Sequence, residues 1–280
     1  MLPATSSPHR IKLFTTHYQL PTMSTISAAA VQSLRARTGV SILACKEALE
    51  ETGGDEEKAI ELLRKRGISQ AAKKAAREQK EGLVFMKEEG TKAAVLVMRC
   101  ETDFVARDEG FQTLGKHLVG TLFDKGMDSA KTEAEKKVPE LIQKLGENIS
   151  IDDMHSVEAP IIGTYLHSNS KIGVIIGLDA SSKEIARDIA MHSAALNPQY
   201  VHPEEVGMDV LEKEKEIWRE QLKKEGKPEA MFDKIMMGKE KKFREENSIV
   251  KQQFVKDPSK SVEQHLGAAK ITAYVRVAVI

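Results

Sequence analysis

The segment GFQTLGKH, residues 110–117, comes closest in this sequence to a recognised chemical motif. It nearly matches GxxxxGK[ST], whose loop cradles nucleotide phosphates and whose Ser or Thr holds magnesium. His117 stands where that hydroxyl is needed, and Phe111 and Leu114 follow the spacing of an amphipathic helix rather than of a loop. The segment therefore does not predict a nucleotide-binding site.

The other side chains that could perform catalysis or bind a metal also lack the spacing that such chemistry requires. The histidines form no HExxH motif or metal-ligand pair, and there is no GxSxG nucleophile motif. Cys45 and Cys100 are far apart and form no CxxC, which is typical of small buried apolar residues in a reducing compartment. We predict that the protein is not an enzyme and carries no cofactor or metal.

The segment CETDFVARDEGF, residues 100–111, places a carboxylate beside a large aromatic side chain in a predicted strand-to-helix connection. Connections usually lie on the surface, where a Phe is poorly placed. Asp103 and Phe104 therefore leave two interpretations open. Either Phe104 folds back as a plug between sheet and helix, which is the commoner case, or it is exposed for a partner to contact.

The composition is that of a globular protein with enough residues for two domains or one elaborate domain. The chain has 280 residues, of which 41% are hydrophobic and 30% are charged. Basic and acidic residues balance at 42 each, whereas a nucleic-acid-binding protein concentrates positive charge. No apolar stretch reaches the length of a membrane-spanning helix. We predict no direct contact with nucleic acid or with a membrane.

Residues 1–23 have the composition of a leader segment. No Asp or Glu occurs before Glu47, and the N-terminal residues are rich in Ser and Thr, with Arg10 and Lys12 as basic residues. This composition is typical of an organellar transit peptide, and a disordered tail is the alternative. We predict a mitochondrial protein, with a plastid location as the alternative.

Residues 24–67 show the periodicity of three short helices. Ser41 and Asp55 can cap the second and third helices, and we expect Gly67 to end the third. A bundle of this size is marginally stable on its own. The residues that follow, 68–81, are rich in Ala and Lys and predict a linker helix.

The next part of the chain predicts two related subdomains. Residues 82–100 and 161–179 each contain two β-rich runs joined by a turn, and an amphipathic helix follows each pair. We interpret this recurrence as an internal duplication of a hairpin-plus-helix unit. The two subdomains are then residues 82–160, and residues 161–208 together with 246–280. The C-terminal ITAYVRVAVI predicts a strand that joins a sheet, so the fold class is α+β with antiparallel sheets.

Residues 209–245 predict a two-helix hairpin that protrudes from the body. Two highly charged helical stretches are joined by EGKP, in which Gly226 ends one helix and Pro228 can begin the next. Trp218 and Leu222 lie on a narrow apolar seam, which is typical of a coiled-coil-like pair. The alternative is a solvated amphipathic pair with no binding role.

Five segments resemble those of one known family, in the same order along the chain. They are RTGVSILACKEAL, ETDFVARDEGF, LGENISI, HSAALNPQY and DPSKSVEQHL. From about Ser24 to the C-terminus, the sequence resembles elongation factor Ts, the nucleotide exchange factor for elongation factor Tu. The resemblance implies an N-terminal three-helix module like the ubiquitin-associated (UBA) domain, a core of two related α+β subdomains and a protruding helical hairpin.

The resemblance also implies a function and a partner. Members of this family bind Tu carrying GDP, disturb its magnesium and phosphate site, and speed the release of GDP so that GTP can enter. Nucleotide binding in such a domain depends on magnesium and on backbone amides around the phosphates. A wedge that shifts either contact therefore weakens binding without touching the nucleotide. The implied partner is Tu in its GDP-bound and nucleotide-free forms.

The residues that meet Tu are implied by the same resemblance. Asp103 and Phe104 match the family's TDF pair, whose Phe inserts among helices of the Tu G domain, and Thr102 and Val105 shape that loop. A second contact, near the Tu phosphate loop, is matched by Leu145, Gly146 and His192. Positions of the N-terminal module that meet the Tu G domain are matched by Arg35, Ile42 and Leu43.

Two other functions remain open from the residues alone. An adaptor would bind ubiquitin or a peptide helix through its N-terminal module, and its binding would survive deletion of residues 82–280. A nucleotide-binding enzyme built on Lys116 would be stabilised against heat by ATP or GTP. Neither function explains why the TDF segment, the GEN segment and the helical hairpin occur together.

Overall fold

A computed structural model describes residues 26–279, so the predicted leader, residues 1–23, lies outside the described residues. The helices are α1 (Ala28–Thr38), α2 (Ile42–Glu51), α3 (Glu56–Lys74), α4 (Asp103–Arg107), α5 (Glu109–Lys125), α6 (Met127–Leu145), α7 (Lys183–Leu196), α8 (Met208–Lys224), α9 (Phe232–Glu246) and α10 (Val262–Leu266). The strands are β1 (Glu81–Glu89), β2 (Lys92–Cys100), β3 (Ile149–Glu158), β4 (Ile161–Leu166), β5 (Ile172–Leu178), β6 (Gln253–Phe254), β7 (Asp257–Ser261) and β8 (Ile271–Ala278). Helices and antiparallel sheets together confirm the predicted α+β class. Within the described range, no helix combines the length and the apolar character needed to cross a membrane.

The chain divides into two compact units, with the boundary between Leu63 and Arg64. The first unit contains α1, α2 and the beginning of α3. The side chains of Ser27 and Ser41 accept hydrogen bonds from backbone N–H groups in the first turns of α1 and α2, so both residues act as N-caps. The buried core of this unit consists of Val31, Leu34, Val40, Cys45, Ala48, Leu49, Ala59 and Leu63. The predicted helices are present, and the likeness to a UBA domain stays a prediction.

The third helix is longer than the sequence analysis predicts. The expectation that Gly67 ends it is wrong, because α3 continues through Gly67 to Lys74 and takes in the first part of the predicted linker helix. A Cβ atom at Gly67 would lie 3.2 Å from the backbone carbonyl oxygen of Pro139 in α6. This glycine therefore permits a close approach between two helices and is not a stop signal.

Two three-stranded antiparallel sheets form the core of the second unit. Their strand orders are β1-β2-β3 and β4-β5-β8, so each sheet is a hairpin whose second strand also pairs with a third, later strand. Helix α5 packs on the first sheet and α7 on the second, in each case following the hairpin along the chain. The two halves share one topology, as the predicted duplication requires, and the C-terminal strand β8 joins a sheet as predicted.

The two sheets pack face to face, and the helices cover their outer faces. Along β2, Leu96 and Met98 point into the core formed with α5 and α6. The alternate residues Val95 and Val97 point the other way and pack with Ile175 of the second sheet. Because β2 is buried on both faces, its sequence is a continuous apolar run rather than an alternating one.

The predicted helical hairpin is present as α8 and α9. Trp218 and Leu222 of α8 pack against Phe232 and Met236 of α9 in a small apolar cluster. Gly226 between the helices has a φ of 66°, in the left-handed region that glycine adopts readily.

Candidate partner-binding site

Phe104 lies in the first turn of the five-residue helix α4, directly after β2. The hydroxyl of Thr102 caps this helix by accepting a hydrogen bond from the Val105 N–H, at 3.4 Å. Asp103 pairs with Arg107 one turn later, at 2.8 Å. Val105 is buried, whereas the side chain of Phe104 is 79% exposed. The short helix is therefore fixed on its inner face and presents the aromatic ring on its outer face.

The exposure of Phe104 excludes the interpretation as a plug, and its contact with a partner stays a prediction. The plug between sheet and helix is Phe111, which is fully buried and lies with its ring centroid 6.3 Å from that of Phe85. Phe104 contributes nothing to that core. An exposed ring of this size gains free energy when another surface covers it, which is the property expected of a contact residue.

The predicted second contact lies beside this loop. Leu145 is the last residue of α6 and packs partly against the core, and Gly146 follows it with a φ of 81°. Strands β2 and β3 pair so that Cys100 lies opposite Ile149. This register places the segment that follows β2 next to the segment that precedes β3. The structure thus brings residues 102–105 and 145–146 together.

A network of side chains joins these two segments. The carboxylate of Glu147 accepts hydrogen bonds from the Thr102 N–H at 3.0 Å and from the Thr102 hydroxyl at 2.6 Å. The carboxylate of Glu101 accepts one from the Asn148 N–H at 2.6 Å. The buried side chain of Asn148 donates to the carbonyl oxygen of Arg77, at 3.0 Å. These glutamates and Asn148 are not predicted from the sequence, and the available signal is the GEN segment between a helix and a strand.

His192 lies on α7, in the core of the second sheet, and is not part of this network. Its Nδ1 accepts a hydrogen bond from the Val255 N–H at 3.2 Å, so Nε2 carries the proton and donates to Gln252 Oε1 at 2.9 Å. Burial lowers the pKa of His192, although the hydrogen bond with Gln252 opposes this shift, and both bonds suit the neutral ring. The ring is 0% exposed, so its predicted contact with a partner stays a prediction.

Arg35, Ile42 and Leu43 lie in the first unit. Arg35 is exposed in the last turn of α1. Ile42 and Leu43 occupy the first turn of α2 and are 55% and 66% exposed. Two adjacent exposed aliphatic side chains form a surface that a partner can bury. The role of these residues in binding also stays a prediction.

The described residues around Phe104 form an exposed surface and show no metal site. Among residues 26–279, no group of three or more His, Cys, Asp or Glu side chains could hold a metal ion. The prominent feature is an exposed aromatic ring on a capped turn, linked by hydrogen bonds to a neighbouring helix end. Fold and site together define an α+β protein with an exposed aromatic side chain on a capped turn, a surface of the kind that another protein can cover.

Comparison with known proteins identifies the family. The family model described as "Elongation factor TS" matches residues 101–279. The curated elongation factor Ts of Marinobacter nauticus is 46% identical over 246 residues, which cover 86% of this chain and 85% of that protein. The elongation factor Ts of Hydrogenobaculum sp. is 40% identical over 261 residues, covering 88% of this chain and 95% of that protein. The chain belongs to the elongation factor Ts family and is thus a translation elongation factor. These relatives are bacterial and do not bear on the predicted organellar location.

Proposed function

We propose that this chain is a guanine nucleotide exchange factor, which binds elongation factor Tu carrying GDP and promotes the release of GDP. The observation that carries the proposal is the 79% exposed side chain of Phe104, held on a capped turn in a member of this family. A large aromatic side chain fixed in this way loses little conformational freedom on binding, which favours its insertion into a partner.

The proposed mechanism needs no covalent step. Insertion of Phe104 among the helices of the Tu G domain shifts the groups that hold magnesium and the phosphates, and so weakens the binding of GDP. This coupling is reciprocal. The factor by which the chain weakens the binding of GDP to Tu equals the ratio of its affinities for nucleotide-free and GDP-bound Tu. The chain therefore acts on the nucleotide through the partner and does not contact it.

The other predicted site residues receive supporting roles in this proposal. Leu145 and Gly146 extend the contact surface beside the Phe104 loop. Ile42 and Leu43 supply a separate apolar contact from the first unit. His192 acts indirectly, since its buried ring packs near Phe254, with ring centroids 6.1 Å apart, and supports the second sheet.

The proposal is tested by following the release of a fluorescent GDP analogue from bacterial Tu in a stopped-flow instrument. The intact chain is expected to accelerate release, and the Phe104→Ala variant to accelerate it far less. Leu166→Ala is the matched control, because it removes an apolar side chain that is 41% exposed at another place in the same unit. If the intact chain fails to accelerate release from Tu of several sources, the exchange function is wrong. Binding of ubiquitin that survives deletion of residues 82–280 would then support an adaptor.

We further propose a mitochondrial location, supported by the composition of the N-terminal residues alone. Residues 1–30 fused to a fluorescent protein are expected to direct it to mitochondria. Replacing Arg10 and Lys12 together by Glu is expected to abolish this targeting, because transit peptides are basic and poor in acidic residues. Fluorescence in plastids or in the cytosol would contradict the proposal.

A further inference from the structure

Two glutamates connect the two segments of the candidate site in a reciprocal way. Glu147, which follows α6, accepts a hydrogen bond from the backbone N–H of Thr102 at 3.0 Å. Glu101, which follows β2, accepts one from the backbone N–H of Asn148 at 2.6 Å. Each segment thus supplies a carboxylate to a backbone donor of the other. We call these two contacts the carboxylate clamp.

The position of the carboxylate clamp follows from the strand pairing. Cys100 and Ile149 are the last pair of the β2–β3 ladder, and beyond them the chain turns into α4 on one side and comes from α6 on the other. Backbone N–H groups just beyond the end of paired strands have no partner strand to donate to, so they need other acceptors where water does not reach them fully. The two carboxylates supply these acceptors, and hydrogen bonds to a charged acceptor are stronger than neutral ones.

Glu147 contacts Thr102 a second time, whereas the second contact of Glu101 is with Arg77, at 3.3 Å. The Thr102 hydroxyl donates to Glu147 at 2.6 Å and accepts from the Val105 N–H at 3.4 Å. Thr102 is therefore held by Glu147 through both its backbone and its side chain while it caps α4. A helix of five residues is unstable by itself, so the first turn of α4, which carries Phe104, depends on this anchored cap.

We infer that Glu147 is a positioning residue for nucleotide exchange, which holds Phe104 in a fixed relation to the neighbouring Leu145–Gly146 surface. Its consequence for exchange rests on the proposed function. If the anchored cap is lost, α4 spends only a fraction of the time in the conformation that can dock. The apparent affinity for the partner is then the intrinsic affinity multiplied by that fraction.

The first experiment uses the free chain and measures backbone amide hydrogen exchange. Glu147→Gln keeps the side-chain shape but replaces one acceptor oxygen by an NH₂ group, which cannot accept from Thr102. We expect amide exchange in residues 102–107 to become about tenfold faster, equivalent to the loss of one charge-assisted hydrogen bond. Glu140→Gln is the matched control, because Glu140 lies in the C-terminal part of α6, seven residues before Glu147, and pairs instead with the exposed Arg64, at 3.2 Å. Unchanged protection of residues 102–107, or a loss of protection spread over the whole first sheet, would overturn the inference.

The second experiment uses the partner and a double-mutant cycle with Phe104. Glu147→Gln is expected to raise the concentration of factor that gives half-maximal acceleration of GDP release by about tenfold, with the saturating rate unchanged. Because Glu147 acts through Phe104, its effect should disappear when Phe104 is already Ala. Additive effects of the two substitutions would overturn the inference. If the unmodified chain gives no acceleration, the proposed function fails, and the hydrogen-exchange experiment still decides whether Glu147 orders α4.

Discussion

Phe104→Ala should separate the stability of the chain from its affinity for a partner. The side chain of Phe104 is 79% exposed, so its truncation removes little buried apolar surface from the folded chain. We expect the free energy of unfolding to change by less than about 0.5 kcal/mol, as for other surface substitutions. Phe111→Ala, at a fully buried position, should instead lower it by about 3–5 kcal/mol.

The loss of binding free energy caused by Phe104→Ala can be calculated from the exposed fraction of the Phe104 side chain. Complete burial of a Phe side chain stabilises by about 1.5–3 kcal/mol. With about four-fifths of the side chain available for burial in a complex, the loss on truncation is about 2 kcal/mol. This corresponds to an affinity for Tu that is about 30-fold weaker.

Isothermal titration calorimetry with nucleotide-free Tu measures this affinity, and urea unfolding measures the stability of the free chain. Leu166→Ala, at an exposed apolar position in strand β4, provides the control for binding. An affinity for Phe104→Ala within about twofold of that of the unmodified chain would refute the reasoning, since one good apolar contact is worth about tenfold or more. A loss of stability comparable to that of Phe111→Ala would also refute it, because Phe104 would then be a core residue.

Three further substitutions test the fold at separate places in the second unit. Asn148→Ala removes the donor to the carbonyl oxygens of Ala75 and Arg77 (3.4 and 3.0 Å), and should lower the free energy of unfolding in urea by about 1–3 kcal/mol; no change would contradict the role of Asn148. Trp218→Ala should lower the free energy that holds the α8–α9 hairpin closed by about 3–5 kcal/mol, which is measured as faster amide exchange in the hairpin with exchange in the sheets unchanged. A loss of amide protection spread evenly over the second unit would contradict this prediction. His192 has a pKa below its ordinary value of 6.5, so the unfolded chain binds the extra proton first as pH falls. Stability should therefore decrease below about pH 6.5 with a slope of up to about 1.4 kcal/mol per pH unit, and His192→Gln should remove this slope in urea titrations at several pH values.

The elements with strong local signals could be predicted from the sequence. The α8–α9 hairpin has a narrow apolar seam and a glycine-containing turn, and the two β-hairpins have apolar runs separated by turn residues. These signals lie within a few residues of each other and depend little on the rest of the chain. Gly67 shows the limit of the approach, because the same residue type serves as a helix stop or as a point of close helix contact. Its actual role depends on Pro139, which is remote in sequence.

The site could be predicted only in part. The TDF segment was visible, but whether Phe104 is buried depends on which residue fills the space between sheet and helix, and that residue is Phe111. The hydrogen bonds between Thr102 and Glu147 span 45 positions and exist because of the β2–β3 register. Sequence periodicity does not determine such a register across the intervening helices.

The coupling between this chain and the nucleotide is the central claim, and it is tested most directly by comparing two affinities. Titration calorimetry can measure the dissociation constants of the chain with GDP-bound and with nucleotide-free Tu, for the unmodified protein and for Phe104→Ala. We predict that the unmodified chain binds nucleotide-free Tu at least about tenfold more tightly than GDP-bound Tu. Reciprocity requires a preference for nucleotide-free Tu of any factor that weakens GDP binding. Phe104→Ala should reduce this ratio. Equal affinities of the unmodified chain for the two forms of Tu would contradict the account.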